Sequence, residues 1–323
     1  MDKIKLKGGS LSGTYLCKDS TGGLFVRKEV SLSENREYGF QRWYSQLKKL
    51  QRFGVLFPGV FPKVIEFGCN GNCAYFDMEY IQNTTTVIDF LKINSDEQSI
   101  SKIIKAITKA NNIIHSQKIP SSMGGISLYF EEEVDRKFND CISNPDFERL
   151  ASERYVYFNN EKILGISHCL EEMKDLMIKL YREGHEVFTH GNMTLENMLY
   201  SAEDDRIYFV DPYEENILDC IMLESSQILQ SCNSHYELYN EANTTVNELS
   251  ASIDLDIPSG VKIFNDMYKK YLQSNFSKEE LKMISLFEVS QFIRMLPFKM
   301  KIDVNKMKFF YIYSSYLYAK VVN

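Results

Sequence analysis

The sequence lacks any excess of positive charge. Its 323 residues include 37 Lys and Arg against 44 Asp and Glu, so the formal net charge is −7. A nucleic-acid binder needs surplus cations to displace counterions from phosphates, and this composition argues against that class. An anionic nucleotide would have to be bound by a local group of cations or by a metal.

The sequence also lacks a long apolar run. The N-terminal residues contain no apolar signal-peptide core, and the apolar stretch Phe309–Val322 is short and interrupted by Tyr, Ser and Lys. The seven cysteines are odd in number and scattered, a pattern that fits neither a disulfide framework nor a zinc site. We expect a cytoplasmic protein with reduced thiols, no membrane span and no nucleic-acid partner.

Strand-like runs dominate the first part of the chain, residues 1–82. Turn residues and a change from a two-residue to a helical period separate its segments. In chain order the predicted elements are the strands Thr14–Lys18 and Leu24–Val30, the helix Ser33–Gln51, and the strands Val64–Phe67 and Ala74–Tyr80. Cys69 and Cys73 bracket an Asn-Gly-Asn turn between the last two strands.

The second part, residues 83–323, is predicted to be mainly helical, because apolar residues recur there every three or four positions. The predicted helices are Ser99–Ser116, Leu128–Cys141 and Leu170–Arg182. The helical pattern is interrupted at residues 190–211, which contain two strand-like pieces, Asn197–Tyr200 and Arg206–Val210. We therefore predict an α+β fold with a small β-rich N-terminal domain, residues 1–82, and a larger helical domain, residues 83–323, that carries one β-hairpin.

Polar residues surround the predicted hairpin. His190, Asn192 and Asn197 precede it, and Asp211 follows its second strand. Phosphoryl transfer needs oxygen ligands that hold Mg²⁺ on the phosphates and a polar group that orients the acceptor hydroxyl. His190 and Asp211 can each be explained as turn residues beside a hairpin, but the ordered set favours a phosphotransfer site.

The segment from His190 to Asp211 resembles the catalytic region of the aminoglycoside phosphotransferase and choline kinase superfamily, relatives of the protein kinases. The superfamily's loop reads His-Gly-Asp-x-x-x-x-Asn and is followed, after a hairpin, by an aspartate. The resemblance implies a bilobal protein-kinase-like fold, with ATP or another NTP and Mg²⁺ as cofactors. It also implies that Asn197 and Asp211 are metal ligands, with Asp211 the principal one, and that His190 braces the loop.

Asn192 stands where the superfamily has its catalytic aspartate. An amide cannot accept a proton from the acceptor hydroxyl, and general-base assistance is typically worth ~10²–10⁴-fold in rate. Asn192 can still hydrogen-bond the acceptor and help to orient it. Two explanations stay open, namely a naturally weak enzyme and a substitution introduced to trap substrate. Glu196 is the weaker candidate for a replacement base, since a glutamate in this turn is more simply explained as solvated.

A glycine-rich stretch, Gly8–Gly13, lies between strand-like flanks. Backbone N–H groups in such a hairpin can cover nucleotide phosphates, and Gly9, Ser10 and Gly13 are the candidates. Glycine-rich hairpins are common, so this signal depends on the others. A dinucleotide-binding enzyme is disfavoured because the stretch is not followed by a helix and G-x-G-x-x-G is absent.

The resemblance places a phosphate-binding lysine in the strand Leu24–Val30. We choose Lys28 because the two-residue period puts it on the apolar face of the strand, and Arg27 is the alternative. The carboxylate partner of that lysine is expected from the following helix, with Glu37 preferred to Glu34.

The resemblance also implies an interlobe hinge at the end of the last N-terminal strand. The backbone of Glu79, Tyr80 and Ile81 would hydrogen-bond adenine there. The side chains of the three residues carry no information on this point, because backbone groups do the recognising.

Segments after the hairpin resemble phosphotransferase-family proteins encoded with bacterial capsule and surface-polysaccharide genes. These segments are Asp211–Tyr213, Leu218–Asp219, Ser226–Ser231 and Phe292–Pro297. Asp219, His235 and Tyr236 are candidates for an acceptor pocket, or else half-buried structural residues. We expect an ATP-dependent kinase for a hydroxyl of a small sugar or amino alcohol in surface-polysaccharide biosynthesis. The alternatives are a nucleotide-binding pseudokinase and, ranked last, an antibiotic phosphotransferase.

Overall fold

The computed structural model describes residues 3–6, 12–33, 36–121, 124–213, 216–239, 242 and 244–322, without the side chains of residues 36–38. Its strands are β1 Lys3–Lys5, β2 Gly13–Lys18, β3 Leu24–Ser31, β4 Val64–Asn70, β5 Cys73–Glu79, β6 Thr84–Thr86, β7 Tyr155–Phe158, β8 Glu161–Leu164, β9 Met198–Ser201, β10 Arg206–Phe209, β11 Thr244–Val246 and β12 Ser250–Ile253. Its α-helices are α1 Arg36–Leu56, α2 Val87–Ile93, α3 Glu97–His115, α4 Gly125–Tyr129, α5 Arg136–Asn139, α6 Pro145–Ser152, α7 Leu170–Leu180, α8 Ile221–Cys232, α9 Tyr236–Tyr239, α10 Ser259–Asn275, α11 Lys278–Ile293, α12 Leu296–Ile302 and α13 Val304–Val322. The predicted α+β fold, with a β-rich N-terminal part and a mainly helical C-terminal part, is confirmed.

The N-terminal sheet has the strand order β1-β2-β3-β5-β4, and every pairing in it is antiparallel. Along β3 the side chains alternate, so that Val26, Lys28 and Val30 are buried on one face. Helix α1 packs on that face, with the ring centroid of Trp43 5.8 Å from that of Phe76 on β5. The predicted order of strand, strand, helix, strand, strand is confirmed.

The hairpin predicted between residues 197 and 210 is also confirmed. Strands β9 and β10 pair antiparallel, and β6 joins the other edge of β9 to give a three-stranded sheet. The hairpin is tied to the segment after α1, because the Phe209 N–H donates to the Val60 carbonyl at 2.8 Å and Arg206 donates to the Gly59 carbonyl at 2.9 Å.

The chain forms two compact units. One unit comprises residues 1–90, 102–116 and 190–216, and the other comprises residues 91–101, 117–189 and 217–323. The N-terminal sheet, helix α1 and the hairpin therefore belong to one unit. The predicted domains, 1–82 and 83–323, divide the chain by sequence pattern and remain a prediction.

The prediction of a single hairpin in the helical part was wrong. Strands β7, β8, β11 and β12 form a four-stranded sheet with the order β11-β12-β7-β8. The β7–β8 turn is made by Asn159 and Asn160, whose φ angles of 47° and 68° are left-handed. Asparagine tolerates this conformation, which two-residue hairpin turns require. The Asn-Asn pair between two short alternating runs was the sequence signal for this hairpin.

The second unit is built around buried helices. Residues 222–232 of α8 are all buried, as are most residues of α11. Helix α11 starts with a capping box, in which the Ser277 hydroxyl accepts the Glu280 N–H and the Glu280 carboxylate accepts the Ser277 N–H. The predicted helix at 128–141 contains a π-helical turn, Phe130–Asp135. Within the described ranges, no helix has the length and apolar character that crossing a membrane demands.

Candidate functional site

His190 begins the loop of residues 190–197 and is fully buried. Its Nε2–H donates to the Val210 carbonyl at 2.8 Å, and its Nδ1 accepts the Asn192 N–H at 3.2 Å. One face of the ring stacks on Phe61, with a centroid distance of 6.0 Å. The imidazole thus joins the loop to the residue before Asp211. The bracing role of His190 stays a prediction.

Gly191 is required for the close approach of the loop to the segment after Asp211. Its φ is +84°, and a Cβ atom on it would lie 2.5 Å from the Tyr213 carbonyl oxygen and 2.2 Å from Nδ2 of Asn216. The Tyr213 N–H donates to the His190 carbonyl at 2.9 Å across the same contact. Any side chain at position 191 would therefore push the two segments apart.

Asn192 and Asn197 are connected to Asp211 by hydrogen bonds. Nδ2 of Asn197 donates to the Asn192 carbonyl at 2.9 Å and to the Thr194 hydroxyl at 3.0 Å. Nδ2 of Asn192 donates to the Asp211 carbonyl at 3.4 Å, and the Val210 N–H donates to the Asn197 carbonyl at 3.0 Å. These side-chain hydrogen bonds use the Nδ2 atoms of Asn192 and Asn197. The Oδ1 atoms of the two amides can therefore bind a cation or accept a hydrogen bond from a hydroxyl.

Asp211 has a strained backbone and a strongly bonded side chain. Its φ is +56°, in the left-handed region that residues with a Cβ rarely adopt. Oδ1 lies 2.6 Å from the Lys28 ammonium and 3.3 Å from Nε2 of Gln46. Burial by itself would raise the pKa of the Asp211 carboxyl, but the charge and hydrogen bond of Lys28 outweigh it, and the pKa lies below its ordinary value.

Lys28 rather than Arg27 meets Asp211. The Lys28 side chain is 5% exposed and lies on the α1 face of β3, as the two-residue period predicts. Arg27 lies on the opposite face, where it binds the Asp77 carboxylate with two hydrogen bonds of 2.6 Å and stacks on the Tyr75 ring. The structure therefore brings Lys28 to the hairpin and gives Arg27 a structural partner within the sheet.

Several predicted nucleotide-binding residues lie at the limits of the described chain. Gly9, Ser10 and the side chain of Glu37 are outside the described residues. Gly13 begins β2, and a Cβ on it would lie 2.6 Å from the Tyr15 ring. Their predicted roles remain predictions.

The predicted hinge residues follow the last strand of the N-terminal sheet. Glu79 ends β5, and its N–H donates to the Lys63 carbonyl at 2.9 Å. The Ile81 carbonyl accepts the Thr84 hydroxyl at 2.9 Å. The Glu79 N–H is thus already used within the sheet, whereas the Ile81 carbonyl keeps a second lone pair. Adenine recognition by Glu79, Tyr80 and Ile81 remains a prediction.

The predicted acceptor residues lie in the second unit, where two of them, Asp219 and Tyr236, have structural partners. The Asp219 carboxylate accepts the Thr189 hydroxyl, and its carbonyl accepts the Val187 N–H at 3.1 Å. Tyr236 packs edge-on against Phe310 with ring centroids 6.2 Å apart.

His235 differs from these two residues. It has a φ of +54°, and its buried Nδ1 has no hydrogen-bond partner among the described residues. Burial, reinforced by the nearby charges of Lys269 and Lys262, lowers the pKa of His235 to about 4. The imidazole is therefore neutral at neutral pH, and its predicted substrate role, like those of Asp219 and Tyr236, remains a prediction.

Sequence reasoning missed two donors on α1 that reach the Asp211 segment. Nε2 of Gln46 lies within hydrogen-bond distance of both the Asp211 carboxylate and the Pro212 carbonyl, and the Lys49 ammonium donates to the Tyr213 carbonyl. The three-residue spacing of Gln46 and Lys49 placed them on one helical face. The expected partner from this helix was a carboxylate for Lys28, so an amide was overlooked.

The oxygen atoms at this site fit a cation that is bound partly by the protein and partly by phosphates. No group of three or more His, Cys, Asp and Glu side chains suitable for a metal occurs among the described residues. The candidate ligands are the carboxylate of Asp211 and the amide oxygen of Asn197. Mg²⁺ in phosphotransfer sites typically takes one or two such protein oxygens and completes its shell with water and phosphate.

Comparisons with known proteins give little further information. No family model matches the chain, and no curated protein matches its sequence. Among solved structures, a crystal structure of an aminoglycoside-3'-phosphotransferase of type VIII matches with a TM-score of 0.48 and 13% sequence identity, over 89% of this chain and 92% of that chain. A likeness at this level establishes neither a family nor an activity.

Proposed function

We propose that the chain is a kinase that transfers the terminal phosphoryl group of ATP or another NTP to a hydroxyl of a small polar molecule, with Mg²⁺ as cofactor. The main observation in favour of the proposal is the 2.6 Å contact between Lys28 and Asp211. The Asp211 carbonyl accepts a hydrogen bond from the Asn192 side chain, and the Asn192 carbonyl accepts one from the Asn197 side chain. A cation, a carboxylate and two amides at one turn form a set suited to nucleotide phosphates and their metal.

Each residue has a defined task in this proposal. Asp211 and Asn197 would hold Mg²⁺, which neutralises phosphate charge when bound. Lys28 exchanges its bond with Asp211 for one with the nucleotide phosphates. Asn192 accepts a hydrogen bond from the acceptor hydroxyl through Oδ1 and orients it. Because phosphoryl transfer depends mainly on positioning and electrostatics, turnover without a base at position 192 is slow rather than absent.

The acceptor class rests on sequence resemblance alone. We propose a sugar or amino alcohol used in surface-polysaccharide synthesis, because segments after the hairpin resemble phosphotransferases encoded with such genes. One of these segments, Ser226–Ser231, is buried within α8, so its resemblance concerns the core of the second unit and not a surface that contacts substrate.

Isothermal titration with ADP, with and without Mg²⁺, tests the proposed function. We expect wild-type affinity to rise with Mg²⁺, Asp211→Asn to abolish that rise, and Lys28→Met to weaken nucleotide binding in both conditions. Lys18→Met is the matched control, because Lys18 is an exposed lysine on the neighbouring strand β2. Wild-type protein that binds no ADP, or binds it without regard to Mg²⁺, contradicts the proposal.

A second candidate is a pseudokinase that binds nucleotide without transferring phosphate. Asn192 favours it, since the usual proton acceptor is absent. Phosphoryl transfer from labelled ATP to sugars, amino alcohols and aminoglycosides, measured for wild type and Asn192→Asp, separates the two. A rate that rises by about 10² or more in the variant supports the enzyme. Nucleotide binding without transfer by either protein supports the pseudokinase.

A further inference from the structure

One face of helix α1 reaches all three residues of the turn that begins at Asp211. Nε2 of Gln46 lies 3.3 Å from Oδ1 of Asp211 and 3.4 Å from the Pro212 carbonyl oxygen. The Lys49 ammonium, one helical turn further along, donates to the Tyr213 carbonyl. The two side chains are neighbours on the helix surface, so they contact the turn as one unit.

The same helix is fixed to the strand that carries Lys28. Nε1 of Trp43 donates to the Lys28 carbonyl at 3.4 Å, and Leu47 and Leu50 are each 1% exposed. Lys49 is 2% exposed, and burying an ammonium is costly unless it is hydrogen-bonded. Helix α1 therefore links the strand of Lys28 to the turn of Asp211 through side chains that cannot easily move.

Asp211 depends on such external contacts. With a φ of +56° it is not held in place by its own backbone preference. Among the described residues, its Oδ1 has two side-chain donors, Lys28 and Gln46. In the proposed function, Lys28 leaves this carboxylate and binds the nucleotide phosphates. Of the two donors, Gln46 then remains on Asp211.

We propose that Gln46 is a positioning residue that keeps the Asp211 carboxylate aligned for its cation after Lys28 has left it. The inference rests on the proposed function and adds a residue to it. An uncharged donor suits the task, because it fixes Oδ1 without competing with Asp211 for Lys28 or for the metal. A glutamate at position 46 would do the reverse, repelling the Asp211 carboxylate and attracting Lys28.

The test measures the ADP affinity of each protein with and without Mg²⁺. The ratio of the two affinities is the gain in ADP affinity due to the metal. Gln46→Met keeps the length of the side chain and removes the donor, and we expect it to reduce this gain about tenfold, as for a lost hydrogen bond to a charged group. Affinity without Mg²⁺ should stay within about twofold, since Gln46 does not contact Lys28 in this scheme. Gln46→Glu should reduce the gain further.

Gln41→Met is the matched control, because Gln41 is exposed on the same helix and the substitution is identical. The inference is overturned if folded Gln46→Met shows the same Mg²⁺-dependent gain in ADP affinity as the wild type. It is also overturned if the variant loses ADP affinity equally with and without Mg²⁺, because that result indicates a merely structural role. Should Gln46→Met fail to fold, Gln46→Asn, which keeps an uncharged amide but shortens the side chain that reaches Asp211, decides by the same criteria. A wild-type protein without any Mg²⁺-dependent gain overturns the proposed function itself, and the inference with it.

Discussion

The Lys28 ammonium lies 2.6 Å from the Asp211 carboxylate, although 183 positions separate the two residues along the chain. Lys28 is on strand β3 of the N-terminal sheet, and Asp211 lies two residues after the end of strand β10. Their ion pair therefore joins the N-terminal sheet to the turn after β10 within one compact unit. It also fixes a cation and an anion where the proposed function needs both.

The ion pair should give stability a specific pH dependence. The lowered pKa of Asp211 means that the pair stabilises the fold fully above the unfolded pKa of about 3.9, and the contribution is lost as pH falls through the folded pKa. Lys28→Met should cost about 1.5–3 kcal/mol at pH 7, because it removes a charged hydrogen bond from a partly buried carboxylate. Urea unfolding of both proteins between pH 7 and 3 measures this.

The difference between wild type and Lys28→Met should shrink as pH falls from 6 towards 3. Without the lysine, burial raises the pKa of Asp211, so the variant takes up its proton first and escapes the penalty. A stability difference that stays constant over this range would show that the ion pair does not determine the charge of Asp211.

Gly191 should tolerate no side chain. Gly191→Ala is expected to lose about 1–3 kcal/mol, because its φ is left-handed and a Cβ would meet the Tyr213 carbonyl. Gly54→Ala is the control, since Gly54 is in helix α1 and a Cβ there meets no atom within 4 Å. That substitution should stabilise by about 0.5–1 kcal/mol. Equal effects of the two substitutions on urea unfolding would refute the steric explanation.

Arg27 should matter for stability and not for nucleotide binding. Its bidentate partner Asp77 has a side chain that is 6% exposed, so Arg27→Met strands a buried carboxylate at a cost of about 3–5 kcal/mol. Titration should find ADP affinity in Mg²⁺ within about twofold of wild type, in contrast to Lys28→Met. If Arg27→Met weakened ADP binding as much as Lys28→Met, the assignment of Lys28 would lose its structural basis.

His235 should destabilise the fold in mild acid. Its pKa of about 4 lies below the unfolded value of 6.5, so stability is complete above pH 6.5 and is lost as pH falls towards 4. The loss should be of the order of 3 kcal/mol. His235→Asn keeps a residue that tolerates left-handed φ and removes the titrating group, so its unfolding free energy should vary less over this range. An unchanged pH dependence would mean that another group is responsible.

Local sequence rules predicted a large part of the fold. Alternation with period two placed Lys28 on the buried face of β3, and the polar turn after β9 marked the hairpin. These features depend on a few consecutive residues, whose periodicity and turn preferences decide the local structure. The Asn159-Asn160 turn was a local signal for the β7–β8 hairpin. The pairing of β12 with β7, in parallel across some ninety positions, leaves no local pattern and could not be predicted.

The candidate site was predictable where a contiguous motif or a strand's periodicity indicates the residue. His190, Asn192 and Asn197 lie within one loop, so their spacing could be interpreted directly. Gln46 and Phe61 act through contacts with residues far along the chain, to Asp211 and His190 respectively. Nothing in the neighbouring sequence distinguishes such residues from ordinary half-buried or core positions, and only the folded arrangement identifies them.

The most direct test of the account is whether a divalent cation that binds with nucleotide lies at Asn197, its proposed ligand, and therefore close to Asn192, whose carbonyl Asn197 contacts. Mn²⁺ with ADP should be added to protein labelled with ¹⁵N at asparagine, with the two signals assigned through Asn192→Ser and Asn197→Ser. The account predicts selective broadening of both asparagine signals, reversed by excess Mg²⁺ and absent in Asp211→Asn. Broadening confined to other asparagines, or none at all, would contradict it.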